Sequence, residues 1–433
     1  MKNTHPLEAL AAANAACEQS QARRLLTGLF DEGTFCEIDR LAKDGDGPAE
    51  AVAGYGLVDG APVYAFAQDR DVCCGAVGKA QAQKLRRVYE LAAQNGAPVV
   101  GLFDSDGAKL GEGVDAMDAL SEVLAESNRL SGVVPQIAVV LGACVGSAAL
   151  IAACSDLVIA VEGADYYLNP GDDNAKADLT AESAENALQK VRELLSFLPA
   201  NNLAAPLVLE ADASGTMSGE VDKAAETVAD EGTALPLDET AAFGRIGGVP
   251  CGIVTLRGDA ISGRTAARAA RFVRLCDNFS LPVVTFVDAG KFGCLKGAAK
   301  LSAAYMEATT AKVTVVAGRA VGAVYVAIAG KQAGADAVLA WPQAVISPLD
   351  PLAAIHLFWE DRLKAMKDPE KDRLALAEEY AKTACSPLAA AAEGIVTDVV
   401  TPEETRKKLA ALLDMLSGKR VSRLPKKHTN IQL

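Results

Sequence analysis

Four glycine-containing turns are the parts of this chain best suited to chemistry: Asp106-Gly107-Ala108, Gly146-Ser147-Ala148, Ala289–Gly293 and Gly322-Ala323-Val324. Each follows a short apolar run rich in β-branched residues, and in an open α/β sheet ligands bind at the carboxyl ends of strands. Peptide N–H groups aimed from a helix N-terminus hold a developing oxyanion, and such preorganised donation is often the largest catalytic contribution. Two turns in each half of the chain make one pocket per half. The same glycines also let strand and helix pack closely. One half alone does not separate these readings; duplication of the whole pattern favours paired sites.

Side-chain chemistry is sparse. The three histidines are His5, His356 and His428, and none sits in a motif that would complete a Ser-His-Asp arrangement. His356, within AAIHLFWEDR, is expected to be a packing residue. No H-x-x-H, P-loop or dinucleotide fingerprint occurs, and no metal site is expected. Ten cysteines include no C-x-x-C pair; only Cys73 and Cys74 adjoin, and neighbours rarely bridge to each other. Neither a zinc ribbon nor a secreted disulfide framework is indicated. The N-terminal residues do not form a signal peptide, so a reducing cytoplasm is expected. A net charge of -14 argues against a nucleic-acid partner, which needs a basic stripe. It leaves room for coenzyme A, whose phosphates need only a few local cations. The basic stretch Lys407–Lys427 is one source of them, although a solvated tail is the favoured reading.

The elements that must position the turns come from an internal repeat. Gly60-Ala61-Pro62 before Val63–Ala67 echoes Gly248-Val249-Pro250 before Cys251–Leu256. Gly78 and Gly263 each open a helical pattern, leading to Pro98-Val99-Val100 and Pro282-Val283-Val284. Six residues beyond each proline stands Asp104 or Asp288. Further on, IAVVLGACVGSAALIAACSDLVIAV matches VTVVAGRAVGAVYVAIAGKQAGADAVLAW. Short β-branched runs alternating with longer helical periods are the mark of βαβ units. The runs VVGLF, IAVVL, VTFV and VTVVA are apolar on both faces, as covered parallel strands must be. The fold class is therefore α/β, with a parallel sheet in each of two tandem βαβ-repeat domains. Their boundary is placed near 232–244, giving domains 1–235 and 236–433. Residues 137–154 lack charge, but Gly142, Gly146 and the repeat partner's Arg319 make strand, turn and buried helix rather than a membrane span.

GLFDSDGAKLGEGVDAM resembles the DSGGARIQEGV motif of the biotin-dependent acyl-CoA carboxyltransferases, the propionyl-CoA carboxylase β-chain and methylmalonyl-CoA decarboxylase α-subunit type. SGVVPQIAVVLGACVGSAALIAACSDLVIAV, VRELLSFLPANN and the ending KKHTNIQL resemble further segments of that family. LPVVTFVDAG, EATTAKVTVV and DAVLAWPQAVI do so in the second half. The likeness runs in order from about Leu25 to the last residue. It implies tandem crotonase-like domains of the ClpP/crotonase superfamily. The first would hold an acyl-CoA thioester, its enolate oxygen bound by the amides of Ser147 and Ala148, with Gly146, Gly107 and Ala108 nearby. The second would bind the ureido oxygen of biotin, delivered on a separate carrier protein, through Ala323 and Val324 after Gly322. Gly75, Gly78, Asp104, Gly293 and Tyr325 are assigned to cofactor binding on the same ground. The implied partners are a biotin carboxyl carrier protein and a biotin carboxylase or membrane decarboxylase subunits. The implied assembly is a homo-oligomer, a dimer or hexamer.

Three family segments are altered: one becomes GDDNAKADLTAES, one is shortened to KFGCLKGAAK, and one becomes SPLDPLAA. Ser147, Ala323 and Val324 replace smaller residues, which adds bulk and removes glycine's freedom. Two alternatives follow from these departures: a degenerate partner subunit of a paralogous carboxyltransferase, and a biotin-independent crotonase-type decarboxylase or hydratase.

Overall fold

The apolar residues of Lys79–Asn95 recur at helical spacing, with Ala82, Leu85, Val88, Tyr89 and Ala92 buried. Gly96, left-handed at φ 61°, ends that helix. In the second half Ser262 accepts the Thr265 amide at 3.0 Å to cap Gly263–Asn278, which buries Ala266, Ala269, Ala270, Val273 and Cys276. The computed structural model describes residues 20–45, 47–212, 215–366, 368–422 and 424–426, with a few isolated positions near each end. His5, His428 and most of KKHTNIQL lie outside the described residues.

The first unit begins with α1 (Gln21–Leu29) and β1 (Cys36–Ile38). The hairpin β2 (Ala51–Val58) and β3 (Ala61–Gln68) leads to α2 (Lys79–Asn95) and β4 (Val99–Ser105). Next come α3 (Val114–Leu130), β5 (Gln136–Val145), α4 (Ser147–Ala153), β6 (Leu157–Val161), β7 (Asp165–Tyr167), β8 (Leu179–Ala181) and α5 (Ala184–Phe197). The sheet order is β1-β2-β3-β4-β5-β6-β8, with β7 also paired to β5. Pairing is antiparallel up to β3 and parallel from β3 onwards. The uncharged 137–154 stretch is thus nearly all of β5, the Gly146 turn and α4, and among the described residues no helix is long and apolar enough to cross a membrane.

The second unit repeats this plan. It contains α6 (Ala224–Val228), β9 (Leu235–Pro236), β10 (Ala241–Ile246), β11 (Val249–Ile261), α7 (Gly263–Asn278), β12 (Val283–Phe292), α8 (Leu295–Glu307), β13 (Lys312–Val321), β14 (Ala337–Ala340) and β15 (Val345–Ser347). The helices α9 (Pro351–Phe358), α10 (Glu360–Lys364), α11 (Pro369–Thr383) and α12 (Pro387–Ala392) precede β16 (Asp398–Val399) and α13 (Pro402–Leu416). Its sheet order, β9-β10-β11-β12-β13-β14-β16 with β15 on β13, matches the first strand for strand. Each sheet has its own core: Phe66, Phe103, Leu85 and Val123 in the first unit, Phe286, Trp341, Val315 and Leu409 in the second.

Compact units run Met1–Ala205 and Pro206–Leu433, so the division falls earlier than the 235/236 boundary read from the sequence. The cause is burial: Met217, Ala224, Val228 and Ala229 pack into the second core. Asp230 also accepts the Gly247 and Gly248 amides at 2.9 and 2.7 Å and pairs with Arg406 at 2.8 Å. Two further expectations change. His356 is exposed in the last turn of α9 instead of packing, because Ala354 and Ile355 occupy the buried side of that helix. The basic carboxyl-terminal stretch begins as the packed helix α13 and is solvated only after Leu416, where most of the described residues are exposed. Leu409, Leu412 and Leu413 bury α13, while Lys408, Lys419 and Lys426 pair with Asp398, Asp336 and Glu307.

Candidate functional site

In the first unit the ladder between β4 and β5 slips between Phe103 and Ser105, and Asp104 stands in the slip. Its Oδ1 accepts the Ala143 amide at 3.0 Å and a guanidinium N–H of Arg70 at 3.2 Å. Arg70 also reaches Asp106 at 3.0 Å. Gly142 is required here, since a Cβ would lie 2.8 Å from Asp104 Oδ1. The Asp104 carboxylate therefore latches β4 to β5.

The turn that follows is tied to the start of α2. Gly107, at φ 97°, donates its amide to Ser105 Oγ at 3.1 Å, and its carbonyl accepts Val77 N–H at 2.7 Å. Lys109 N–H returns to the Val77 carbonyl at 3.0 Å. This alternation leaves the Ala108 amide with no acceptor among the described residues. Below the turn, Lys109 pairs with Asp44, Glu50 and Glu112, and Glu112 accepts the Lys79 amide at 2.9 Å to cap α2. Burial raises the pKa of Glu50 above the ordinary glutamate range. A Cβ on Gly78 would collide with Glu112, and one on Gly75 (φ 65°) with the Asp104 carbonyl. Internal packing therefore accounts for both glycines.

Gly146 sits beside this turn, because a Cβ on Gly107 would lie 3.2 Å from the Val145 carbonyl. Gly146 has φ 62° and ψ -132°, and its N–H is spent on the Tyr167 carbonyl at 3.1 Å. The first turn of α4 then leaves the Ser147 and Ala148 amides without intrahelical carbonyls. The Ser147 side chain is exposed and Ala148 is buried.

The second unit builds the same device. Asp288 stands in the slip between Val287 and Ala289 and accepts the Arg319 amide at 2.9 Å and its Nε at 3.2 Å. Arg319 also reaches Asp259 at 3.0 Å. Gly322, at φ 53°, spends its N–H on the Ser347 carbonyl at 2.8 Å. The Ala323 and Val324 amides find no acceptor among the described residues. Ala323 is exposed, while the Val324 side chain is fully buried. Tyr325 opens a single π-helical turn, Tyr325–Ala329, and burial raises its phenol above the usual value.

One expected turn is not a turn. β12 runs through Ala289 to Phe292, since β11 extends to Ile261 and pairs Gly258 with Ala289, Ala260 with Lys291 and Ile261 with Phe292. Gly293 follows the strand, with its amide spent on the Ile261 carbonyl at 2.8 Å. The structure thus brings Gly107 and Ala108, after β4, together with Gly146, Ser147 and Ala148, after β5, at the carboxyl ends of two neighbouring strands. In the other half, Gly322, Ala323, Val324 and Tyr325 follow β13, and Gly293 follows the neighbouring strand. Arg70 and Arg319 each bridge two aspartates; Arg70 was not singled out from the sequence, and Arg319 was read there only as a charge at the turn that argues against a membrane span. The repeat carried a signal for Arg319, which occupies the register of Ala143; Arg70 had none.

A family model described as a carboxyl transferase domain matches residues 18–171 and 238–431. The chain belongs to that carboxyltransferase family. The family match skips 172–237, the stretch that holds nearly all of GDDNAKADLTAES. The carboxyltransferase is 33% identical over 483 residues to the carboxyltransferase subunit of propionyl-CoA carboxylase from Haloferax mediterranei, covering 95% of this chain and 93% of that one. It is 33% identical, with the same shares covered, to methylmalonyl-CoA decarboxylase subunit alpha of Propionigenium modestum. It is 31% identical to the methylmalonyl-CoA carboxyltransferase 12S subunit of Propionibacterium freudenreichii subsp. shermanii, over 94% of this chain and 91% of that one. A transcarboxylase 12S crystal structure, described as a hexamer with methylmalonyl-coenzyme A bound, superposes with TM-score 0.89 at 30% identity, covering 99% of this chain and 98% of that one. The resemblance and the crotonase-type α/β fold expected from the sequence both hold.

Proposed function

We propose that this carboxyltransferase moves a carboxyl group between biotin, presented on a separate carrier protein, and the α-carbon of an acyl-CoA. One observation carries the reading: each unit ends a central strand in a positive-φ glycine followed by two amides that find no acceptor among the described residues. In the first unit the Ser147 and Ala148 N–H groups, with Ala108 beside them, receive the thioester oxygen. Their donation strengthens as that oxygen takes on enolate charge, so it lowers the barrier rather than merely tightening binding. In the second unit the Ala323 and Val324 amides suit a ureido oxygen, and the buried Val324 side chain does not crowd it. Biotin, when bound, supplies or accepts the carboxyl group.

The relatives' names support acyl-CoA as the substrate class, and the hexameric neighbour supports a homo-oligomer, a dimer or hexamer. The partners proposed are a biotin carboxyl carrier protein and either a biotin carboxylase or membrane decarboxylase subunits, with the assembly in the cytoplasm. The test is decarboxylation of malonyl-CoA and methylmalonyl-CoA by the purified chain, with and without free biotin. Biotin-dependent loss of the carboxyl group is the expected result. Turnover without biotin would favour a crotonase-type decarboxylase, as the shortened KFGCLKGAAK segment allows. No turnover under either condition would favour a partner subunit.

A further inference from the structure

We infer that Cys73 and Cys74 form a vicinal dithiol that is a reversible modification site at the rim of the first-unit turn. This rests on reading that turn as the acyl-CoA site. After Gln68 the chain leaves the sheet and rejoins it at Val77, whose bridge to Ala108 stands where the second unit runs β11 unbroken to Ile261. The excursion carries the two adjacent cysteines, both exposed and both left-handed at φ 49° and 53°.

This loop is not independent of the site. The Cys74 carbonyl accepts the Asp106 amide at 3.1 Å, and Val77 N–H donates to the Gly107 carbonyl at 2.7 Å. Gln81 Nε2 holds the Gly75 and Ala76 carbonyls at 3.2 and 3.3 Å. A change in the Cys73-Cys74 backbone therefore acts directly on Asp106-Gly107. Among the other described cysteines only Cys36 is exposed. Burial suppresses the thiolates of Cys144, Cys251 and Cys276.

A small-molecule disulfide such as oxidised glutathione is the reagent class. One cysteine thiolate attacks it, its S–S bond breaks, and the departing thiolate takes up a proton. The neighbouring thiol then attacks the mixed disulfide, loses its proton and expels the second small thiol. Two electrons pass from the pair to the reagent, and a Cys73–Cys74 bond remains. Adjacent Cα atoms lie ~3.8 Å apart, short of the ~4.4–6.8 Å span of relaxed disulfides. The closed ring must therefore move the backbone, and it reopens readily with dithiothreitol.

The full chain is treated with oxidised glutathione, mapped by peptide mass spectrometry and titrated with malonyl-CoA by calorimetry. The expected product is a peptide lighter by two hydrogens across Cys73-Cys74. Malonyl-CoA affinity should fall by at least about tenfold, and dithiothreitol should restore it. Cys73→Ser should bind like the reduced chain and stop at the glutathione adduct of Cys74. Closure with unchanged affinity, or adducts confined to Cys36, overturns the inference and leaves the acyl-CoA site standing. A reduced chain that does not bind malonyl-CoA overturns both.

Discussion

Gly146→Val separates the backbone of the first-unit site from its packing. A Cβ at Gly146 meets no atom within 4 Å, so the substitution adds no clash. It acts through φ 62° and ψ -132°, a conformation closed to β-branched residues and worth about 1–3 kcal/mol of strain. Borne entirely by the folded state, that strain lowers Tm by roughly 2–12 °C for a unit of this size. It remains small beside the ~5–15 kcal/mol of a typical domain, so the chain still folds. The cheaper relief is rotation at residue 146, which redirects the Ser147 and Ala148 amides. Loss of one such donor reduces kcat by about 10²–10³. The assay pairs a thermal melt with biotin-dependent decarboxylation of malonyl-CoA. We expect a modest fall in Tm and a fall in kcat of at least about 10². Ser147→Pro is the companion variant, deleting a single N–H at a first-turn position that tolerates proline. Wild-type turnover in both, with Tm lowered, would refute the assignment of those amides.

Gly322→Val forces φ 53° on a β-branched residue and brings a Cβ 3.0 Å from the Pro348 carbonyl. It should leave acyl-CoA binding intact and reduce carboxyl exchange with biotin about 10²-fold; exchange at the wild-type rate would mean the biotin site lies elsewhere. The Asp31 carboxyl is held below its usual range, first by the Arg192 hydrogen bond and then by the Gly60 amide. Its stabilising effect is thus present above the ordinary carboxylate pKa and lost as pH falls through the lowered value. Asp31→Asn should lower Tm at neutral pH, with the gap to wild type closing in strong acid; a pH-independent gap would contradict this. Trp341 is fully buried and its Nε1–H donates to Thr405 Oγ1 at 2.9 Å. Thr405→Val should cost about 1–3 kcal/mol in urea unfolding, and a neutral result would show that the indole N–H finds another acceptor.

The repeat was legible because covered parallel strands need apolar residues on both faces, and because Gly142, Gly146, Gly318 and Gly322 recur at matching places. Gly142 and Gly318 could not have been replaced, since a Cβ on either runs into Asp104 or Asp288. The unit boundary was not legible: Met217, Ala224 and Val228 are too few apolar residues to announce which core they join. AGKFG reads as a turn by composition, yet four more residues of β11, Gly258–Ile261, give it ladder partners that only the fold supplies. The side chains that fix the strand ends were half visible. The aspartates stood out by their spacing from Pro98 and Pro282, but Arg70 reaches Asp104 from a distant loop through tertiary contact alone.

Because the first unit's Gly146 and the second unit's Gly322 already spend their own N–H groups on Tyr167 and Ser347, each glycine serves only as a hinge that aims the peptide bonds after it. Under the reading proposed here, systematic replacement of side chains by alanine would pass over the reactive groups without registering them. Side-chain changes other than to proline at the exposed positions 147 and 323 should matter little to the reaction. Swapping a single amide linkage for an ester, by semisynthesis or hydroxy-acid incorporation, is the edit that reaches them.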